Sequence, residues 1–308
     1  MDWEGRDTLI RMAAFEHVRR LSEAYQLLTA TELNPGFVFE GTRIPLINPR
    51  RGIFKPQQMR YLLSIKTVFP KPGGRVWYDD QREVHRRIFE GSETIDYAFM
   101  GKDPGSADNR WLREAYENQV PVIYFLGVSP GCYQAMLPSF IAGWDRKNLK
   151  ARMVFGMPDQ DSLRPPETPS ERRYALRAVK QRLHQASFRE AVISAYSGRC
   201  AVSRLREPLL LDAAHIVADK DELLGQPIVP NGIPLSKIHH AAFDAHLIGI
   251  DPDYHLHVSE RLLAQNDGPM LEALKGLNGQ TIYLPNRPKD QPDRERLASR
   301  FERFNAIT

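Results

Sequence analysis

Residues 209–258 limit the fold more than any other stretch of this chain. Leu209-Leu-Leu-Asp-Ala-Ala-His-Ile-Val217 has the length and apolar character of one strand and carries a histidine near its end. A polar loop with Asp219, Lys220, Asp221 and Glu222 follows, and Ile228-Val-Pro-Asn-Gly-Ile-Pro-Leu235 reads as a second strand containing Asn231. Ser236 is an N-cap candidate for a short helix over Lys237 to His246. A second hairpin is expected within Leu247 to Val258. The order is strand, loop, strand, helix, with histidine, asparagine and histidine at fixed places.

Ala214-His215-Ile216, Asn231-Gly232 and His239-His240-Ala-Ala-Phe-Asp244 together resemble the HNH, or ββα-metal, nuclease family, and its restriction-type members in particular. The resemblance spans about Ala195 to Ser259 and implies phosphodiester hydrolysis at a single divalent ion. A neutral imidazole titrates near physiological pH, so His215 suits the removal of a proton from the attacking water. By resemblance, His240 matches a metal-ligand position. Asp244, one helical turn later, is a candidate second ligand. Asn231 matches the family's structural asparagine, whose amide ties down the loop and orients the His215 backbone. The chain departs from the pattern at Ala214, where many members place an acid or a histidine. Asp212 is the nearest substitute as first ligand, but strand alternation points it away from His215. His239 is an alternative to His240, while His246, His255 and His257 read as surface or strand-face residues. Cys200 has no cysteine neighbour and reads as a small buried hydrophobe. Mg²⁺, Mn²⁺, Ni²⁺ and Co²⁺ are all compatible with mixed His/Asp ligands.

The rest of the chain divides around Gly156 to Ser170, which holds four prolines and no periodic pattern. The resulting segments are an N-terminal helical segment (1–36), a β-rich domain (37–156), a linker (157–172) and a C-terminal domain (173–308). Leu9, Met12, Phe15, Val18, Leu21, Tyr25 and Leu28 recur at helical steps and predict a helix over 6–30, stopped by Asn34-Pro35-Gly36. Within 37–155, short apolar runs alternate with turn signals. The clearest helix is Asn109 to Asn118, and Val122 to Val128 is the best candidate for a buried strand. A further helix is expected over Glu171 to Tyr196. Ser170 is its candidate cap, and Arg173 at the third helical position leaves the capping box incomplete.

The β-rich domain carries two clusters, Gly73-Gly-Arg-Val-Trp-Tyr-Asp-Asp80 and Tyr97-Ala-Phe-Met-Gly-Lys-Asp103, the second followed by Asp108-Asn-Arg-Trp-Leu112. Aromatic faces beside an acid suit a pocket for a flipped base. The arrangement resembles the SRA domain, a PUA-type reader that flips 5-methylcytosine, over about residues 37–155. The resemblance implies that Trp77 and Phe99 sandwich the base and that Asp80 reads its edge. A slip of one or two residues substitutes Tyr78, Asp79 and Tyr97. Read without the resemblance, Trp77 and Phe99 are core residues.

Charge adds to this reading. Residues 1–156 hold 22 Lys+Arg against 18 Asp+Glu, whereas the remainder holds 20 of each. Gly41 to Tyr78 contains no acid and eight bases, among them Arg43, Arg50, Arg51, Lys55 and Arg75 as candidate contacts to the DNA backbone. The alternative is an ordinary solvated face. No apolar run is long enough to span a bilayer, and the first residues lack the apolar segment of a secretory signal. With only two cysteines and no CxxC pair, a cytoplasmic, bacterial setting is expected. The fold expected is α+β: an N-terminal helix, an SRA-like β-rich reader, a linker and a ββα-metal nuclease. The function expected is cleavage of double-stranded DNA carrying modified cytosine, by a homodimer or a DNA-templated pair. The N-terminal helix either mediates that pairing or packs on its own domain. The competing readings are a nuclease acting on unmodified DNA and a non-catalytic DNA-binding regulator with a degenerate nuclease fold.

Overall fold

The computed structural model describes residues 3–68, 95–157, 164–218, 221, 224–266 and 268–307. The chain divides into two compact units, Met1–Ala186 and Ser187–Thr308.

The first unit opens with α1 (Trp3–Tyr25) and α2 (Ala30–Leu33), followed by β1 (Phe37–Phe39), β2 (Thr42–Ile44), β3 (Ile53–Phe54) and β4 (Ser64–Thr67). After these come β5 (Ile95–Ala98), α3 (Ala107–Glu117), β6 (Val122–Ser129), β7 (Cys132–Asp145) and β8 (Lys150–Phe155). A six-stranded sheet runs in the order β3-β4-β6-β7-β8-β5. The β4–β6 pair is parallel and the other pairs are antiparallel. β6 lies near the middle and is covered on both faces, which explains its nearly unbroken apolar sequence. Val122, Tyr124, Leu126 and Val128 enter one cluster with Leu112 and Phe155, while Ile123 and Phe125 enter another with α1. Strand β7 escaped the sequence reading. A register shift between Ile141 and Gly143 breaks its period of two.

α1 ends earlier than the periodicity predicts. Gln26 takes a left-handed backbone, φ 56°, and Thr29 with Glu32 forms a capping box that starts α2. Ile10, Ala14, Phe15 and Val18 are buried with Leu33, Ile123 and Phe125. These apolar residues of α1 are therefore packed within its own unit. Arg11 is buried beside Asp7, Nη2–Oδ2 2.6 Å, and donates to the carbonyls of Leu62 and Pro121.

α4 (Pro169–Ala195) begins inside the stretch read as linker. Its cap is Thr168, not Ser170. Thr168 Oγ1 accepts from Glu171 N–H at 3.2 Å, and Glu171 Oε2 accepts from Thr168 N–H at 3.0 Å. The capping box is thus present, two residues before the position that Ser170 suggested. Residues of α4 up to Ala186 join the core of the first unit.

The second unit contains β9 (Leu211–His215), β10 (Gly232–Ser236), α5 (Lys237–Asp244), β11 (Ile248–Ile250), β12 (Leu256–Val258), α6 (Glu260–Leu263), α7 (Gly268–Lys275) and α8 (Arg294–Ile307). β9 pairs antiparallel with β10, and β11 with β12, as expected for two hairpins. The first strand starts later than predicted because Pro208–Leu210 forms a 3₁₀ turn. Asn231 closes a similar turn, Val229–Asn231, and so precedes its strand instead of lying within it. Gly232 is required by close packing: a Cβ there would stand 2.4 Å from Val192 Cγ2 and 2.7 Å from the Phe188 ring. Among the described residues, no helix is long and apolar enough to cross a membrane.

Candidate active site

The β9–β10 register sets His215 opposite Gly232 and Asp212 opposite Leu235. Strand alternation separates the two side chains of interest. Phe188 and Val192 of α4 pack with Ala213, and the His215 ring stacks on Phe188 at 4.0 Å and 15°. Ala214 is fully buried in the core, as an apolar residue at that position should be. Asp212 is directed instead toward α5.

α5 begins at Ser236, whose hydroxyl accepts from His239 N–H at 3.4 Å. This places His239 and His240 in different surroundings. His239 Nδ1 lies 2.8 Å from Ser236 Oγ and 3.7 Å from Cys200 Sγ. His240 stands between two carboxylates, with Nδ1 3.5 Å from Asp212 Oδ2 and Nε2 3.2 Å from Asp244 Oδ2. Arg189 adds a positive charge behind Asp212, with Nε 3.8 Å from Oδ1. Its Nη2 donates to the carbonyls of Pro208 and Leu211.

The electrostatics follow from these distances. Hydrogen bonding to Asp212 is the main reason the His240 pKa rises above the ordinary imidazole value; burial opposes it, and the charges of Asp244 and Asp212 add to it. Burial pushes the Asp212 carboxyl upward, but His240, the Ala213 N–H and Arg189 together bring it below the usual range. Burial likewise pushes the Cys200 thiol upward. His239 and the N–H groups of Ser203 and Ser236 outweigh burial and hold it at about 6. Cys200 is buried in the apolar core, as expected from its isolation in sequence, and is hydrogen-bonded there as well. Its Sγ accepts from Ser236 N–H at 3.2 Å and Ser203 N–H at 3.4 Å.

Asn231 is fully buried. Its Oδ1 accepts from Val217 N–H at 2.9 Å, and its Nδ2 donates to the carbonyls of Val217 and Gln226, each at 3.0 Å. The Asn231 carbonyl also accepts from Ile216 N–H at 2.9 Å. The backbone directly after His215 is thus fixed to the turn that starts β10.

The fit of a divalent ion can be tested on this donor set. Two donors on one ion, each at about 2.1 Å and about 90–110° apart, stand about 3.0–3.4 Å from each other. His240 Nε2 and Asp244 Oδ2, 3.2 Å apart, meet that requirement. Asp212 sits on the Nδ1 side, where a carboxylate orients an imidazole and fixes its tautomer. Among the described residues no three His, Cys, Asp or Glu groups are arranged to hold an ion. Water and phosphate oxygens would complete the shell, as is usual for Mg²⁺. Asp219 and Glu222 lie outside the described residues.

Residues 200–251 match the HNH endonuclease family. The matched segment holds Asp212, His215, Asn231, His240 and Asp244, and the rest of the chain lies outside it. Among solved structures, the chain is similar to one described as "Modification dependent TagI restriction endonuclease". The likeness covers 83% of this chain and 86% of that one, at 15% identity and a TM-score of 0.34. At that score it carries no weight for fold or activity. No curated protein matches the chain significantly.

In the first unit, Tyr97 and Phe99 are core residues with relative exposures of 5% and 2%. Phe99 stacks on Trp144 at 3.9 Å, and Tyr97 meets Tyr124 edge-on at 6.1 Å. Neither ring is presented to solvent. Trp77, Tyr78, Asp79, Asp80 and Arg75 lie outside the described residues. Of the other backbone candidates, Arg43 donates to the carbonyls of Pro35 and Asn34, and Arg51 pairs with Asp108 at 3.1 Å. Lys55 donates to Met59 O, whereas Arg50 is exposed. A concave surface of about 640 Å³ lies elsewhere, at the β7–β8 hairpin, with Arg146, Lys147, Lys150 and Arg152 among its lining residues. Arg189, Phe188 and the Cys200–His239 contact were also missed by the sequence reading, since they join positions far apart in the chain.

Proposed function

We propose that this chain is a divalent-metal-dependent DNA endonuclease whose second unit hydrolyses the phosphodiester and whose first unit selects DNA bearing modified cytosine. The observation that carries the nuclease reading is His240 held between Asp212 and Asp244 on the helix that follows the β9–β10 hairpin, within the segment matching HNH endonucleases.

His215 takes the proton from the water that attacks phosphorus, and Asn231 holds the backbone after it so that the ring keeps its place. His240 Nε2 and Asp244 would hold the ion, while Asp212 fixes the His240 ring through Nδ1. The ion, when bound, supplies charge stabilisation to the phosphate and to the leaving 3′ oxygen. The metal expected is Mg²⁺ or Mn²⁺, and Ni²⁺ or Co²⁺ are also compatible with a mixed His/Asp donor set.

The modified-base reading rests on sequence, namely the segment Gly73 to Asp80 and the acid-free basic stretch around it. Of the candidate pocket residues, Tyr97 and Phe99 are buried in the core, which leaves Trp77, Tyr78, Asp79 and Asp80 as candidates from sequence alone. With the one hydrolytic site proposed among the described residues, cutting both strands calls for two copies meeting on the DNA.

The test is cleavage of one plasmid prepared unmodified, C5-methylated and hydroxymethylated, with Mg²⁺, with Mn²⁺ and with EDTA. Metal-dependent cutting confined to a modified form supports both halves of the proposal. Equal cutting of every form keeps the nuclease and removes the reader. Cutting that persists in EDTA overturns the metal site.

A further inference from the structure

α8 lies beyond the segment that matches HNH endonucleases, yet it reaches the site. Its buried face, Leu297 and Phe304, packs into the second unit. The approach is close enough that a Cβ on Gly249 of β11 would stand 2.7 Å from the Phe304 ring. On a neighbouring face, Arg296, Arg300 and Arg303 follow one another at helical steps. All three touch the loop between His215 and Asn231. Arg296 donates to Leu224 O at 2.9 Å and Gln226 Oε1 at 2.8 Å, and Arg303 stands 4.0 Å from Asp221.

Of these three arginines, Arg300 is the one that touches both the segment after His215 and Asp244. Its Nη1 donates to Ile216 O at 3.4 Å, directly after His215. Its Nη2 donates to Phe243 O at 2.7 Å and faces Asp244 Oδ1 at 3.4 Å. The guanidinium lies 3.9 Å from the centre of the Phe243 ring. Its side chain is only 15% exposed, and a guanidinium is withdrawn from water at a cost unless its donors are matched. Here they are matched by carbonyls from two different segments and by one carboxylate. Asp244 is consequently shared: Oδ1 faces Arg300 and Oδ2 faces His240.

We propose that Arg300 is a positioning residue of the nuclease site, setting the spacing between the His215 segment and the Asp244 carboxylate by gripping both. This rests on the nuclease reading above. A lysine at 300 keeps the charge but has a single ammonium that cannot span the three acceptors. A misplacement of about 1 Å is enough to cost about a hundredfold in rate.

The experiment compares wild type with Arg300→Lys, Arg300→Ala and Arg296→Gln, the last removing a contact from the same helix to the same loop without touching Asp244. Thermal unfolding, kcat and KM on the plasmid, and Mn²⁺ binding followed by electron paramagnetic resonance are measured for each. Arg300→Lys is expected to unfold near the wild-type temperature and keep KM within about twofold. Its kcat should fall at least tenfold, and its Mn²⁺ affinity should weaken about tenfold. Arg296→Gln should keep kcat. Should Arg300→Ala fail to fold, the lysine variant carries the comparison. A folded Arg300→Lys with wild-type kcat and Mn²⁺ affinity overturns the proposal, as does an equal kcat loss in Arg296→Gln. Wild-type protein that cuts no DNA and binds no Mn²⁺ overturns the nuclease reading itself, and this proposal with it.

Discussion

Each unit of the molecule holds a buried asparagine that performs the same local task. In the second unit, Asn231 pairs with both the N–H and the carbonyl of Val217 and donates again to Gln226. In the first, Asn109 at the start of α3 pairs with both backbone groups of Met100, at 2.8 and 3.0 Å, and donates again to Asp103 at 2.7 Å. One amide thereby orders a loop that begins just after a residue the sequence singles out. In one case that residue is His215, half-buried at the end of β9 with its ring against Phe188. In the other it is Phe99, sunk against Trp144. The clamp therefore reports an ordered loop, and chemistry must be argued from the groups that converge beside it.

The sharpest way to break this contrast is at the two residues themselves. His215→Ala is expected to lower kcat by about 10²–10⁴ with little change in unfolding temperature, because a general base is lost from a folded site. A variant that cuts at the wild-type rate would take His215 out of the chemistry. Phe99→Ala should do the opposite. It removes a buried ring and costs about 3–5 kcal/mol of stability, while the folded fraction keeps its ratio of binding to methylated and unmodified duplex. That ratio, measured by fluorescence anisotropy below the unfolding transition, is decisive. Its collapse in a stably folded variant would return Phe99 to the base pocket.

The same contrast explains what could be read from sequence. Residues 211–244 build strand, turn, strand and helix from neighbours, so hairpin register and helical spacing alone bring Asp212, His240 and Asp244 together. Local rules sufficed there, apart from the exact ends of β9 and the turn at Asn231. The sheet of the first unit follows no such order. β5 pairs with β8, and β4 pairs in parallel with β6, so the neighbours of Phe99 come from Trp144 and those of Tyr97 from Tyr124. Nothing local to Tyr97-Ala-Phe99 distinguishes an aromatic that faces a ligand from one that faces a distant strand. Arg300 was hidden for the same reason, since its partners Ile216 and Phe243 lie far back in the chain. The capping box at Thr168 and Glu171 was legible in principle. It was misplaced because Pro169 and Ser170 both look like starts.

A smaller effect separates the two asparagines. Asn109→Ala and Asn231→Ala each strand buried backbone groups, and each should cost about 1–3 kcal/mol per unsatisfied group in urea unfolding. Only Asn231→Ala should also lower kcat when rates are normalised to folded protein, because only its loop carries His215. Equal losses of normalised kcat would mean that the clamp in the first unit also serves the reaction.

The two cysteines extend the comparison to pH. Cys132 lies on β7 with its neighbours in an apolar cluster, whereas Cys200 is met by two N–H donors and His239. Its thiol is held at about 6, against an ordinary value of 9.0. Between those values the unfolded chain binds a proton that the folded chain does not, so stability must rise with pH across that window and fall as pH drops through about 6. The slope for one proton is at most about 1.4 kcal/mol per pH unit. Urea unfolding of the reduced protein at pH 6, 7 and 8 should show this rise in wild type and in Cys132→Ser, and a flatter profile in Cys200→Ser. If the slope survives Cys200→Ser unchanged, the thiolate is not its source.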